Sequence, residues 1–228
     1  MAQKKSIGML VAVEQESVFS RYGAPGKTEV CGGFTVYQYE NDRYVLHVIH
    51  SGVGELAASA AAALLIDRYA VEMLVNFGVV GGLTPEMAQT KLCVVTRVVH
   101  YDFDLSQIDS VLPCQYPGYE GIYLPTDSAL VEKALAVCPE LRPVTCASAD
   151  KFVGRQEDKE RLHRLYEADI CEMESAGILL SCRRAEVPCL LIKAVSDGLT
   201  EGGEAFYSAL EHCADLCLSV TDRIIREL

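Results

Sequence analysis

Three acidic residues are the first candidates for chemistry, because each stands where an apolar run begins or ends. Glu16 follows SIGMLVAV, Glu174 lies near the start of ICEMESAGILLSC, and Asp197 ends PCLLIKAVSD. Carboxyl groups that meet in one crevice are suited to acid–base chemistry. Each position also has an ordinary structural explanation, since acidic residues stabilise helix N-termini and Asp favours caps and turns. The residues alone leave both explanations open.

The stretch ICEMESAGILLSC (170–182) is mostly apolar or small and predicts a buried helix with two carboxylates in its first turn. Glu172 and Glu174 are separated by two positions, and such neighbours do not share a helix face. One of them can therefore point into a site while the other points to solvent.

Apolar runs alternate with helix-forming segments along the chain, and this alternation predicts how the acidic residues are positioned. The predicted strands are 6–13, two within 34–51, 73–83, 92–101, 143–148 and 188–197. The predicted helices are 55–69, 128–138, 157–168, 170–182 and 203–228. A segment rich in Pro, Gly and Tyr, from about 105 to 125, is typical of a long loop.

This pattern predicts an α/β fold: a single domain (1–228) with a central mixed, mostly parallel sheet flanked by helices on both faces. Most predicted strands are continuous apolar runs, as expected for strands covered on both faces. Sites in such folds lie beyond the carboxyl ends of the strands. We therefore expect Glu16, Glu174 and Asp197 to converge on one crevice.

Composition excludes several classes of protein. The formal net charge of −12 over 228 residues argues against nucleic-acid binding and against docking on anionic lipid. The N-terminus lacks the features of a secretory signal, and no apolar run reaches the roughly 20 residues of a membrane span. The ten cysteines form no C-x-x-C pair and lie mostly among apolar neighbours, which predicts buried, reduced thiols. We expect a cytoplasmic protein.

Six segments, in this order, resemble the bacterial 5′-methylthioadenosine/S-adenosylhomocysteine nucleosidases of the purine nucleoside phosphorylase superfamily. They are IGMLVAVEQES, SGVGELAA, NFGVVGGL, ASADKFV, CEMESAG and KAVSD. The resemblance runs over roughly residues 6–226, and EMES and SD are its most specific parts. It implies a nucleoside phosphorylase-like fold and hydrolysis of the N-glycosidic bond of methylthioadenosine or S-adenosylhomocysteine. The products would be adenine and a 5′-substituted ribose, and neither a cofactor nor a metal is needed.

The resemblance also implies roles for individual residues. Asp197 would be protonated and donate to N7 of the adenine, which requires a raised pKa. Glu16 would be ionised and position the attacking water. Glu174 would bind the 2′ and 3′ hydroxyls of the ribose, and Met173 would lie against the ribose face. Negative charge beside the sugar would stabilise the cation that develops there.

The same resemblance implies the substrate pocket. The ring of Phe152 would stack on the base beside the backbone of Val153, and Ser196 would orient Asp197. The pocket for the 5′-substituent would be apolar and formed by Val53, Leu105, Ile108 and one of Phe206 or Tyr207.

Two residues that the resemblance implies to be substrate-binding, Val79 and Lys193, depart from the pattern of these nucleosidases. Val79 stands where they carry Ser, and Lys193 stands where they carry Arg, which loses a planar guanidinium. The departures leave the substrate open, and a nucleosidase of futalosine type or a purine nucleoside phosphorylase is the alternative. Phosphorylases of the superfamily place Arg and Ser in the glycine stretch, where this chain has Asn76 and Val79. Hydrolysis is therefore favoured over phosphorolysis.

Three other classes of function have weaker support. The sequence from Gly52 to Ala57 fits the dinucleotide pattern G-x-G-x-x-A, but Glu55 puts a negative charge where a pyrophosphate would lie. His100, Asp102 and Asp104 could suggest a metal site, although a hydrogen-bonded network is the simpler explanation. A binding module that lost turnover would account for Val79 and Lys193.

The expected partners are a nucleoside and a second copy of the chain. The resemblance implies a homodimer in which a loop of the neighbour closes the 5′ pocket. The segment CQYPGYEGIYLP (114–125) could supply that loop, since Tyr suits interfaces, or it could cover its own site.

Overall fold

The computed structural model describes residues 4–228, in which ten strands form one sheet and six helices pack against it. The strands are β1 Lys5–Val11, β2 Lys27–Cys31, β3 Phe34–Glu40, β4 Tyr44–His50, β5 Met73–Gly82, β6 Leu92–His100, β7 Tyr123–Pro125, β8 Arg142–Ser148, β9 Ile170–Glu172 and β10 Cys189–Asp197. The helices are α1 Gln15–Tyr22, α2 Glu55–Tyr69, α3 Ser128–Val137, α4 Gln156–Tyr166, α5 Ser175–Arg184 and α6 Gly203–Glu227.

The sheet is mixed, as the sequence predicts. Its strand order is β10-β6-β8-β9-β5-β1-β4-β3-β2, with β7 paired to β6 and β10 paired also to β5. The second pairing of β10 joins β5, β10, β6, β8 and β9 into a closed ring of strands. Parallel pairings run through β4, β1, β5 and β10, and a second parallel set consists of β6, β8 and β9. The two sets are joined by the antiparallel pairings β10–β6 and β5–β9.

The two faces of the sheet are covered by different helices. Helices α1, α3 and α6 pack on one hydrophobic cluster, and α2 and α5 pack on another. The continuous apolar run of β10 is buried along its whole length, which explains why it shows no polar alternation. The alanine-rich α2 has high intrinsic helix propensity and presents Ala58, Ala61 and Ala62 to its cluster.

Four element predictions needed correction. The predicted helix 170–182 is strand β9 followed by α5, so Glu172 ends a strand and Glu174 is the N-cap residue. The short helix α1 and the edge strand β2 were not predicted, and the last three residues of the predicted loop 105–125 form strand β7. Strand β2 is mostly polar and exposed, and therefore carries no hydrophobic pattern.

The cysteine prediction is confirmed: all ten are free thiols, and all but Cys31 are buried. Across residues 4–228, no helix combines the length and the apolar character that crossing a membrane requires.

Candidate active site

The carboxyl ends of several strands surround a cavity of about 430 Å³. The residues that line it follow strands β1, β4 and β8 or lie near the carboxyl ends of β5, β9 and β10. The start of α6 completes the wall. The lining residues are Ala12, Val13, Glu14, Val53, Val79, Val80, Gly81, Lys151, Phe152, Val153, Cys171, Glu172, Met173, Glu174, Asp197, Gly203, Phe206, Tyr207 and Leu210. This is the position that the parallel strands predict for a site.

Asp197 ends β10 and is 1% exposed, yet it lines the cavity. The Ser196 hydroxyl donates to its Oδ1 at 2.9 Å, and the Lys159 ammonium donates to its Oδ2 at 2.7 Å. Burial raises the pKa of Asp197 above its ordinary value, although Lys159 and Ser196 both act in the opposite direction. The carboxyl group is therefore fixed in orientation and keeps its proton to a higher pH than an exposed Asp.

The second carboxylate of the cavity belongs to Glu14, and the expectation that Glu16 lies there was wrong. Glu14 is buried, and its Oε2 accepts the backbone N–H groups of Ala12 at 3.1 Å and Val13 at 2.9 Å. Its Oε1 accepts the N–H of Val79 at 2.9 Å. A carboxylate has about four acceptor positions, so one position remains for a water.

Glu16 lies in the first turn of α1, is exposed, and does not line the cavity. The reason is the early end of β1 at Val11, which lets the next three residues turn along the cavity wall. The rule that strand ends carry the site would have favoured Glu14, the acidic residue nearer to the strand.

Glu172 and Glu174 are both buried at the cavity but have different environments. Burial would raise the pKa of Glu172, but Lys193, Ser148 and Ser175 outweigh it, so its pKa lies below the ordinary value. The Lys193 ammonium donates to Glu172 Oε2 at 3.0 Å. Glu172 is therefore ionised.

Glu174 directs its Oε1 to the backbone N–H of Gly54 at 2.9 Å. Burial and the charge of Glu172 raise the pKa of Glu174 to about 7. Met173, between the two glutamates, lines the cavity. Glu174 and Met173 thus lie at the same cavity.

Lys193 is buried and does not line the cavity, so it acts on the site through its ion pair with Glu172 and through its charge near Glu174. The prediction of direct substrate contact by Lys193 is corrected accordingly. Burial lowers the pKa of Lys193, but Glu172 and Glu174 outweigh this effect and raise it.

A third buried glutamate, Glu55, joins this network and was not expected there. The Ser148 hydroxyl contacts Glu55 Oε1 and also Glu172 Oε1, the latter at 2.6 Å. A hydroxyl has one proton, so one of the two carboxyl groups must donate to it. Burial and the charge of Glu172 raise the pKa of Glu55 to about 8, which identifies Glu55 as the protonated partner.

Aromatic and apolar side chains form the rest of the cavity. Phe152 lies edge to face against Phe206 with ring centroids 5.7 Å apart, and both Phe206 and Tyr207 line the cavity. Val53, Val79 and Val153, which were all expected to bind substrate, also line it. Ser196 does not line it but holds Asp197.

Leu105 and Ile108 do not line this cavity, and Ile108 is 84% exposed. Their expected place in the pocket of the same chain is therefore wrong. They lie in the irregular segment between β6 and β7, which has no apolar run to bring it onto the core.

Two other sites considered from the sequence are a dinucleotide site at the start of α2 and a metal site near His100. At the start of α2, Asp150 accepts the N–H of Glu55 at 2.7 Å and Glu174 accepts that of Gly54, so carboxylates occupy the place of a pyrophosphate. His100 Nδ1 contacts the Tyr116 hydroxyl at 2.7 Å. In the part of the chain that the structure describes, no group of three or more His, Cys, Asp or Glu side chains is arranged to hold a metal ion.

Comparisons with known proteins agree with the motifs. A family model described as the phosphorylase superfamily matches residues 7–226. The aminodeoxyfutalosine nucleosidase of Campylobacter jejuni is 32% identical over 171 residues, 73% of this chain and 73% of that protein. The 5′-methylthioadenosine/S-adenosylhomocysteine nucleosidase of Tolumonas auensis is 29% identical over 97% of this chain and 99% of its own length. A crystal structure of the Helicobacter pylori 5′-methylthioadenosine/S-adenosylhomocysteine nucleosidase has a TM-score of 0.92 and 27% identity, covering 99% of this chain and 100% of that one.

Proposed function

Because the chain belongs to the phosphorylase superfamily, we propose that it is an N-ribosyl hydrolase that uses Asp197, Glu14 and Glu174 to cleave a purine nucleoside. The observation that carries this proposal is the meeting of these three carboxyl groups, from distant parts of the chain, at one cavity. Relatives with nucleosidase names match the chain over most of its length.

The proposed reaction breaks the bond between C1′ of the ribose and N9 of the base. The electron pair of that bond moves into the base, and the proton of Asp197 passes to N7, which leaves Asp197 as a carboxylate. A water held by Glu14 adds to C1′ and gives its proton to Glu14. Glu174 binds the ribose hydroxyls, and its charge stabilises the cationic sugar of the transition state.

The charges of the cavity wall favour water over phosphate as the nucleophile. Glu14, Glu172, Glu174 and Asp197 line the cavity, and Lys151 is the single cationic side chain among the lining residues. Lys151 is already paired with Asp102 at 2.8 Å. A phosphate dianion needs several basic and hydroxyl donors, and among the lining residues only Lys151 and the exposed Tyr207 carry such groups. The position that phosphorylases give to an arginine holds Asn76, which is buried and donates to the carbonyl of Leu10.

The apolar part of the cavity supports a nucleoside with an apolar 5′-substituent. Val53, Phe206 and Tyr207 suit the thioether of methylthioadenosine or S-adenosylhomocysteine. The second candidate is aminodeoxyfutalosine, because a relative with that nucleosidase name is 32% identical. Both substrates share the bond that is cleaved, so the choice affects specificity and not the roles of the carboxyl groups.

We further propose that the enzyme works as a cytoplasmic homodimer, in methionine salvage if methylthioadenosine is the substrate. Ile108 and Leu112 in the segment between β6 and β7 are exposed apolar residues that would be covered by a neighbour. The free thiols support a reducing compartment. Sedimentation velocity tests the dimer, and a monomer at micromolar concentration would contradict it.

The test of function is an incubation of the purified protein with methylthioadenosine, S-adenosylhomocysteine, aminodeoxyfutalosine, adenosine and inosine. Each reaction is run with and without phosphate, and the released base is measured by chromatography. We expect free base without phosphate. Release that depends on phosphate, with ribose 1-phosphate as a product, would show a phosphorylase, and no base from any nucleoside would refute the proposal.

A further inference from the structure

Lys159 is a fully buried lysine that the proposed reaction does not yet use. It lies on α4, and its Nζ donates to Asp197 Oδ2 at 2.7 Å, to the carbonyl of Gly198 at 2.6 Å and to that of Glu201 at 2.9 Å. An ammonium group has three N–H donors, and these three oxygens satisfy all of them. A buried charge is tolerated only with such complete pairing.

The backbone of β5 is shaped to admit this pair. A Cβ atom on Gly81 would lie 3.3 Å from Asp197 Oδ2, 3.7 Å from Lys159 Cε and 3.1 Å from Cys171 Sγ. A side chain at position 81 would therefore crowd the carboxyl group of Asp197 and the thiol of Cys171, beside the lysine. Strand β5 thus leaves room for Lys159 to reach Asp197 from behind the cavity.

We propose that Lys159 is a positioning residue that fixes the Asp197 carboxyl group and stabilises the negative charge that develops on it when its proton passes to the base. The inference rests on the proposed function of Asp197 as the acid. Lys159 does not line the cavity, so it acts through Asp197 and not on the substrate. A cation already in place next to the oxygen that becomes charged needs no reorganisation during the reaction.

Opposing effects set the acidity of Asp197. The titratable groups near it are Lys159 from α4, Cys171 from β9 and Glu201 from the loop after β10. Burial raises the pKa of Asp197 and so keeps the proton on it, Glu201 acts in the same direction, and Lys159 lowers it. Without Lys159, Asp197 would hold its proton more tightly and become a weaker donor.

The test compares the wild type with Lys159→Met, Lys159→Arg and the control Lys133→Met, an exposed lysine on α3. Base release is measured from pH 5 to 10. Activity requires protonated Asp197, so it falls as pH rises through the pKa of that group. Loss of a cation at this distance should move this basic limb up by about 1–3 pH units in Lys159→Met. The plateau kcat should fall by about 10²-fold. Lys159→Arg should restore part of both, and Lys133→Met should match the wild type.

A fall in kcat without a shift of the basic limb would show that Lys159 only supports the loop of Gly198 and Glu201. A kcat and a basic limb that both match the wild type would show that Lys159 has no role. Either result overturns the proposal. If Lys159→Met does not fold, the ¹⁵Nζ resonance of Lys159 in the wild type decides. It should titrate with the same midpoint as the basic limb, and a resonance that ignores this midpoint refutes the proposal. Failure of the wild type to release any base would refute the proposed function instead.

Discussion

Comparing Glu14→Gln with Glu16→Gln tests which glutamate is the base. The structure favours Glu14, whereas the sequence suggested Glu16. Glu14 is buried at the cavity, whereas Glu16 is exposed on α1 and does not line it. The two variants remove the same charge from the same short segment. Any difference between them therefore reports the position of the carboxylate and not the net charge of the chain.

The size of the effect follows from the contacts of Glu14. Its oxygens accept three backbone N–H groups, from Ala12, Val13 and Val79. A glutamine can keep its oxygen on two of them, but its NH₂ group then faces the third donor. One buried N–H group loses its acceptor, which costs about 1–3 kcal/mol of unfolding free energy. For a chain of this length, that corresponds to a fall in Tm of about 2–12 °C.

Catalysis should suffer more than stability. A positioned general base contributes about 10²–10⁴-fold to rate, so kcat of Glu14→Gln should fall by that factor. Glu16→Gln should keep kcat within about twofold and Tm within about 1 °C, because exposed substitutions usually change stability little. Base release is followed at saturating nucleoside and below the Tm of each variant. Full turnover in Glu14→Gln, or a large loss in Glu16→Gln, would refute the assignment.

Three further replacements test the remaining carboxyl groups. Asp197→Asn should lower kcat by about 10²–10⁴-fold with an unchanged far-ultraviolet circular dichroism spectrum, because the amide has no acidic proton to give; an active variant would show that the acid is another group. Glu174→Gln should raise KM and lower kcat in steady-state kinetics, since the carboxylate accepts strong hydrogen bonds from the ribose of the bound nucleoside and its charge acts on the cationic sugar of the transition state; an unchanged KM would contradict contact with ribose. Glu55→Gln should flatten the loss of stability with rising pH. The pKa of Glu55 is raised to about 8, so its stabilising protonation is complete below its ordinary pKa and is lost as pH rises toward 8. Urea unfolding at pH 5 and pH 8 measures this, and an equal loss in the wild type and the variant would be the contrary result.

The elements that were predicted correctly are those with a long, unbroken pattern. Strands β5 and β10 are mostly apolar runs, and α2 is rich in alanine and leucine, so local preference and burial agree. The segment 170–182 was misjudged because its first three residues, Ile170, Cys171 and Glu172, are too few to show the period of a strand or of a helix. Their pairing with β5 and β8, which no local pattern reveals, makes them a strand.

The site was predictable where a side chain points directly from a strand end. Asp197, Met173 and Glu174 belong to this class. Lys159 and Glu55 were not predictable as parts of the site, because each reaches it from a helix through a distant contact. In a sequence, a lysine within EDKERLHRLYEA is indistinguishable from its solvent-exposed neighbours. Only the packing of α4 against the end of β10 buries it.

The distribution of compensating charge in the cavity corresponds to the charges of the proposed transition state. Asp197 and Glu172 each have a buried lysine within about 3 Å, Lys159 and Lys193 respectively. Within residues 4–228, Glu14 and Glu174 have no such ion pair and are held by backbone N–H groups. The wall that would face the base thus carries a cation behind its acid, where negative charge develops as the proton leaves.

The wall that would face the sugar keeps negative charge without a cation of its own. In the resting protein that arrangement is unfavourable, which is why burial and Glu172 raise the pKa of Glu174 to about 7. A ribosyl cation is the missing partner, and it exists only while the glycosidic bond is breaking. The unpaired carboxylates therefore favour the transition state over the bound nucleoside, which is the condition for acceleration and not merely for affinity.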